Sequence, residues 1–202
     1  MNDKFFSTRQ ISIIAILAAI SAVLLMINFP IYLFPGFYKI DFSDLPCLLC
    51  GFAFGPLSGI MCVFVSRILN IILEGGSETA YIGELASLLI TISFVLISSI
   101  IYKTNHSKKG AIYSLIIGVL VSSAISMVIN YFVLLPMYEN LMNISLDAIV
   151  SVASKTIPFV KDKLSFVLFC TLPFNIIKGT VNSLIIIFIY KRISPLIKGT
   201  NN

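Results

Sequence analysis

Leu45-Pro46-Cys47-Leu48-Leu49-Cys50-Gly51-Phe52-Ala53-Phe54-Gly55-Pro56-Leu57-Ser58-Gly59, continued by the apolar run from Ile60 to Leu73, decides how this chain folds. At about 1.5 Å of rise per helical residue, residues 45–73 are too long for one membrane crossing and too short for two full ones. Gly55-Pro56 breaks any helix in the middle, because proline lacks the N–H and disfavours a helical residue before it. The stretch therefore reads as two short helices, about 45–54 and 57–73, inside a bundle that shelters the interrupted backbone.

The flanking sequence supplies that bundle. Ile11 to Phe29 carries no charge, follows Arg9, and has roughly the 20 residues that cross a ~30 Å hydrocarbon core. It is too long for a signal-peptide core and no small-residue cleavage site follows before Pro30, so it reads as a retained helix, about 10–29. Tyr81–Tyr102, Ala111–Leu135 and about Leu164–Tyr190 are three further spanning runs.

Composition agrees. The 202 residues are 58% hydrophobic and 11% charged, with a mean hydropathy of +1.01, whereas soluble proteins are about a quarter charged. A soluble enzyme, a disordered chain and a disulfide-stapled secreted domain are excluded. The net charge of +5 does not point to nucleic acid, because the basic residues form short clusters between uncharged runs, as loops in lipid do.

Charge also decides whether residues 45–73 count once or twice. Counted twice, the chain has six helices, and one face holds Lys4, Arg9, Lys103, Lys108, Lys109, Lys191, Arg192 and Lys198, with Asp3 the acid beside them. Counted once, the 103–109 loop and the C-terminus fall opposite Lys4 and Arg9. The positive-inside rule selects six transmembrane helices, an all-α, multi-pass membrane protein with both termini cytoplasmic. The outer face then carries loops 30–44, 74–80 and 136–163, with Asp41, Asp44, Glu74, Glu78, Glu139, Asp147 and Asp162. Within the last loop, residues 145–156 read as a short helix ending before Pro158.

Cys47 and Cys50 have the spacing of a metal or redox pair, but zinc needs four convergent ligands, Cys62 and Cys170 are isolated, and His106 is the single histidine. Small apolar residues in a membrane helix are the plainer reading. No metal, catalytic residue or phosphate-binding glycine loop is expected. Ionisable residues inside spans are more informative, since a charge at the bilayer centre costs at least about 2.5–3.5 kcal/mol and faces a cavity or a partner. Arg67, Glu84 and Lys178 are such residues, with Asn70, Asn130, Asn175 and Asn182 as amide companions. Asn175 and Lys178 share one helix face and suit a polar heteroaromatic ligand; inter-helix hydrogen bonding is the competing role for the amides. Arg67 and Glu84 are candidates to pair with one another. In the first helix Ala15 and Ala19, and Ala18 and Ala22, are four apart, a spacing that admits a partner helix or serves packing within the bundle.

Four stretches carry a resemblance: Asp41-Phe-Ser-Asp-Leu-Pro46, Gly51-Phe-Ala-Phe-Gly-Pro-Leu-Ser-Gly59, Asn130-Tyr-Phe-Val-Leu-Leu-Pro-Met-Tyr138 and Pro173-Phe-Asn-Ile-Ile-Lys-Gly179. In this order the chain resembles the riboflavin-binding S-components of energy-coupling factor (ECF) vitamin importers. The resemblance implies a six-helix substrate-capture subunit that binds riboflavin as cargo with no cofactor. It implies assembly with a transmembrane coupling subunit and two cytoplasmic ATPases, in the cell membrane of a prokaryote. By the same resemblance Asn130, Asn175 and Lys178 contact the isoalloxazine ring, Ile40, Asp41 and Phe42 line or cover the site, and Ala15, Ala18, Ala19 and Ala22 dock on the coupling subunit. Ser87, Ser66-Arg67 and the long 136–163 loop depart from the family pattern. The alternatives are an S-component for a pyridoxine- or pyrimidine-type vitamin and a ligand-free membrane scaffold.

Overall fold

The computed structural model describes residues 6–76 and 81–198, with side chains described as far as Tyr190. Asp3, Lys4 and Glu78, and the side chains of Lys191, Arg192 and Lys198, which entered the charge argument, lie outside the described residues.

Helix α1 (Thr8–Met26) begins at a capping box in which Ser7 accepts from the Gln10 amide and the Gln10 side chain accepts from the Ser7 amide. Two-residue strands β1 (Phe29–Pro30) and β2 (Lys39–Ile40) then pair antiparallel and close off a loop between them. Helices α2 (Asp44–Phe54) and α3 (Pro56–Glu74) follow, broken at Gly55-Pro56. Gly55 has φ 96°, a conformation that favours glycine. Pro56 opens α3, where its missing N–H costs nothing. Helix α4 (Ile82–Thr104) returns, and α5 (Lys108–Ile129) runs through a π-helical turn, Asn130–Leu134, into α6 (Leu135–Met142). Short α7 (Leu146–Ser154), capped by Ser145, occupies the connection to α8 (Lys163–Phe166). A second π-helical turn, Val167–Thr171, joins α8 to α9 (Leu172–Lys198).

Among the described residues, five helical segments are long and apolar enough to cross a membrane, and Asp44–Phe54 is a shorter apolar helix. The helix expected to stop before Pro136 instead continues to Met142. One π-helical turn ends at Leu134, with Leu135 between it and Pro136, and the other ends at Thr171, with Leu172 between it and Pro173. The extra residue in each turn relaxes the hydrogen-bond ladder where proline has no N–H to give and would crowd the preceding turn.

The half of the bundle around α2 is close-packed. Leu48, Val63, Val95, Leu115 and Ile186 are buried there together with Cys47, Cys50 and Cys62. Gly118 lies directly against Ser98 and Phe94, and Gly51 against Ser99, with no space for a Cβ at either. The alanines of α1 divide. Ala18 and Ala22 are fully buried within this chain, so the structure assigns them to internal packing instead of the docking face expected for them, while Ala15 and Ala19 face outward. The opposite half holds a second apolar cluster around Phe34, Ile149, Phe166 and Phe174, and beside it a cavity.

Candidate ligand-binding site

The cavity, about 1310 Å³, lies at the end of the bundle formed by the β1–β2 loop, the C-terminus of α3 and the turn between α6 and α7. Small-molecule pockets usually measure about 300–1,000 Å³, so this one admits a cofactor-sized ligand. Asn130, Asn175, Lys178 and Asp41 all line it. Ile40 and Phe42 do not: both are half-buried, and Ile40 packs against the apolar cluster around Phe34 and Phe174. The contribution expected of residues 40–42 to the wall thus falls to Asp41, because alternate residues on an extended segment point to opposite sides.

The two π-helical turns aim the amides. Asn130 opens the first and donates its Nδ2 to the Ser126 carbonyl at 2.8 Å. Asn175 follows the second by one turn and donates to the Thr171 carbonyl at 2.9 Å. Each amide thereby bonds its own helix through one N–H, which fixes the side chain and leaves its Oδ1 as an acceptor and its second N–H as a donor.

Lys178 is engaged with Asp41, Nζ to Oδ2 at 2.7 Å. The other Asp41 oxygen accepts from the Ser43 amide at 3.0 Å and from the Ser43 hydroxyl, and the Asp41 carbonyl accepts from Asn182 at 3.3 Å. The Ser43 hydroxyl accepts from Arg67 at 3.3 Å. Arg67 also donates to Thr91 at 2.9 Å and lies 3.7 Å from Asp44, which accepts from the Thr91 hydroxyl at 2.9 Å. One chain of contacts therefore runs from α9 through residues 41–44 to α3 and α4, with two cations and two carboxylates. Burial alone would push the Asp41 carboxyl up; the charges of Lys178 and Arg67, with hydrogen bonds from Lys178 and Ser43, outweigh it and hold the group below the usual carboxylate range.

Asp44 is thus the carboxylate paired with Arg67, and Glu84 lines the cavity farther along α4. Sequence reasoning placed Asp41 and Asp44 on an acidic outer face and missed this arrangement. A signal existed: two cations inside spans require two carboxylates, and Asp41 and Asp44 stand at the entrance to a helix in the same bundle. The aromatic closure above the site was also not foreseen. Tyr38 bonds Thr171 at 2.7 Å and packs on Phe174, ring centres 4.7 Å apart, which seats the β1–β2 loop on the second π-helical turn.

Apolar helices, a cavity at one end and fixed amides in its wall define a membrane-embedded binder of a small, polar-edged molecule. The chain belongs to the substrate-specific components of ECF transporters: the family model described as "ECF transporter, substrate-specific component" matches residues 9–190. It is 37% identical over 193 residues to the riboflavin transporter RibU of Staphylococcus aureus, covering 94% of this chain and 93% of that protein. It is 29% identical over 190 residues to the riboflavin transporter FmnP of Bacillus subtilis, covering 94% of each. A solved S component of a bacterial ECF transporter superposes with a TM-score of 0.72 at 34% identity, over 94% of this chain and 98% of that one. The chain is accordingly a multi-pass membrane protein, the substrate-specific component of an ECF transporter and not an enzyme.

Proposed function

We propose that this chain captures riboflavin for an ECF importer, with the ring held between apolar walls and edged by Asn130, Asn175 and Lys178. The observation that carries this reading is the convergence of those three side chains on one cavity, in a chain similar over nearly its whole length to proteins named as riboflavin transporters. A flavin ring is flat and mostly apolar, with carbonyls and a ring N–H at one edge. Two amides, each with a free acceptor and donor, beside an ammonium group match that edge, and the aromatic and aliphatic walls supply burial. Lys178 retains two N–H groups beyond its bond to Asp41. Riboflavin is cargo, so no cofactor enters the scheme.

Titrating riboflavin into ligand-free protein in detergent tests the reading. Its fluorescence should quench to a one-to-one endpoint, and pyridoxine or a pyrimidine vitamin precursor should not compete. Direct binding of either of those without flavin binding, measured by calorimetry, favours the sister specificity, and no binding of any of the three leaves the scaffold reading.

Power comes from partners: a transmembrane coupling subunit and two cytoplasmic ATPases, with six helices and both termini cytoplasmic in this chain. Ala15 and Ala19 are exposed on α1, each followed by an exposed isoleucine, Ile16 and Ile20, a surface that admits a close helix approach. Ala15→Leu with Ala19→Leu should abolish co-purification with the coupling module while riboflavin still binds the isolated chain. Binding lost with assembly intact would move those alanines into the ligand-binding half.

A further inference from the structure

We propose that the segment joining α7 to α8 is a lipid-headgroup anchor, in which Lys155, Lys161 and Lys163, with the exposed Phe159 among them, bind the phosphates of anionic phospholipids in the outer leaflet. The leaflet rests on the orientation proposed above, with both termini cytoplasmic; the affinity for the headgroup does not.

Charge sets this segment apart. In that orientation the basic residues of the outer face are Lys39, Lys155, Lys161 and Lys163, and all but Lys39 fall within residues 155–163. Lysines outside run against the positive-inside bias. Asp162 is the acid among them, and its carboxylate caps α8, accepting from the Ser165 amide and hydroxyl, each at 2.7 Å. No ion pair of Lys155, Lys161 or Lys163 occurs among the described residues. Lys155 and Lys161 are exposed, and Lys163 Nζ sits 4.4 Å from the centre of the Tyr131 ring. None of the three lines the cavity.

Local structure holds an aromatic ring among these charges at the surface. Val160 is buried in the apolar cluster around Phe34 and Phe174, and its amide donates to the Ile157 carbonyl at 3.0 Å. Its neighbours on either side, Phe159 and Lys161, are exposed, Phe159 by 71%. The Phe159 ring lies 5.9 Å from that of Phe169, also exposed, which belongs to the spanning run that begins at Lys163. Rings beside the start of a span, with lysines just before it, suit a membrane–water interface. There aromatic rings sit at headgroup level, and lysine stems lie along apolar surface while the ammonium reaches a polar group. Three ammonium groups with one carboxylate complement a phosphodiester, to which each can donate a charge-assisted hydrogen bond. Helix α8 joins this anchor to the ligand site, since Leu164 is exposed while Phe166 lines the cavity. Headgroup binding here fixes the depth of that cavity wall in the membrane.

The chain has no tryptophan, so Phe159→Trp supplies a single fluorescent reporter. In phosphatidylcholine vesicles, phosphatidylglycerol with acyl chains brominated near the headgroup should quench it about fivefold more strongly, mole for mole, than phosphatidylcholine brominated alike. Leu120→Trp, at an exposed position midway along α5, should show nearly equal quenching by the two. Lys155→Gln, Lys161→Gln and Lys163→Gln together should bring the Phe159→Trp ratio down to that level, and raising salt from about 0.05 to 0.5 M should shrink it. If gel filtration shows that the triple variant does not fold, Lys155→Gln with Lys161→Gln, both at exposed positions, should remove most of the preference. Equal quenching by the two lipids, or a preference that the lysine substitutions leave intact, overturns the proposal. So does an indole reached by neither lipid, which would place the segment in water or under a protein partner. The leaflet is read separately. Cys47, Cys50, Cys62 and Cys170 are buried, so a membrane-impermeant maleimide should label Lys155→Cys on intact cells. Labelling only after the membrane is opened would overturn the orientation, and with it the leaflet, while the lipid ratio still decides the headgroup affinity.

Discussion

The two halves of this bundle solve the problem of burying polar atoms in opposite ways. Around α2 the helices approach closely: glycines lie against serines, as Gly118 does against Ser98 and Gly51 against Ser99, and the cysteines, alanines and branched residues fill what remains. Serine hydroxyls there bond a carbonyl of their own helix, as Ser66 and Ser114 do. Around the cavity the space stays open, and charged side chains from four segments form pairs in its wall. Close packing makes the first half rigid through dispersion, which tolerates no added volume. The second half is held by directional contacts, which leave donors and acceptors facing a ligand.

Adding volume to the packed half should have the largest effect. Gly118→Leu drives a side chain into Ser98 and Phe94, and overpacking of this size costs several times the roughly 1–3 kcal/mol of an extra methylene or two. The variant should yield no monodisperse protein in gel filtration. A well-folded Gly118→Leu that binds riboflavin normally would erase the contrast between the halves.

Breaking a charge pair in the open half should come next. Lys178→Met removes the donor proposed for the ligand and strands Asp41, whose buried carboxylate then lacks its cation. Riboflavin affinity should fall by about one to two powers of ten, and thermal stability should fall with it, since breaking a buried pair costs about 3–5 kcal/mol. Asp41→Asn added to Lys178→Met should restore much of the stability and little of the affinity. Recovery of both would mean that the lysine serves the fold alone.

Acid should give the smallest effect. Folding lowers the Asp41 pKa, so its contribution is complete above the ordinary carboxylate value of about 3.9 and is lost as pH falls through the lower folded value. Riboflavin affinity should therefore stay level from about pH 8 to 5 and decline only below about pH 4. A midpoint near pH 6 would show that a different group controls the site.

Much of this was legible in the chain. The uncharged runs dictate membrane helices, because lipid offers the backbone no hydrogen-bond partner. Gly55-Pro56 dictates the break between α2 and α3, because a proline there cannot continue a helix. The family motifs drew attention to Asn130, Asn175 and Lys178, which line one cavity. Local sequence rules were silent or misleading wherever two distant segments had to meet. Pro136 reads as a stop, yet the helix passes through it by way of a π-helical turn. Alanine spacing in α1 gives two equivalent pairs, and the neighbouring helices decide that Ala18 and Ala22 face inward and Ala15 and Ala19 outward. Which carboxylate neutralises Arg67 or Lys178 was likewise settled by tertiary structure, since Asp41 and Lys178 are 137 residues apart. Periodicity and hydropathy act over a few helical turns and are written in the order of residues, whereas ion pairing and cavity shape depend on distances that exist only after the helices have packed.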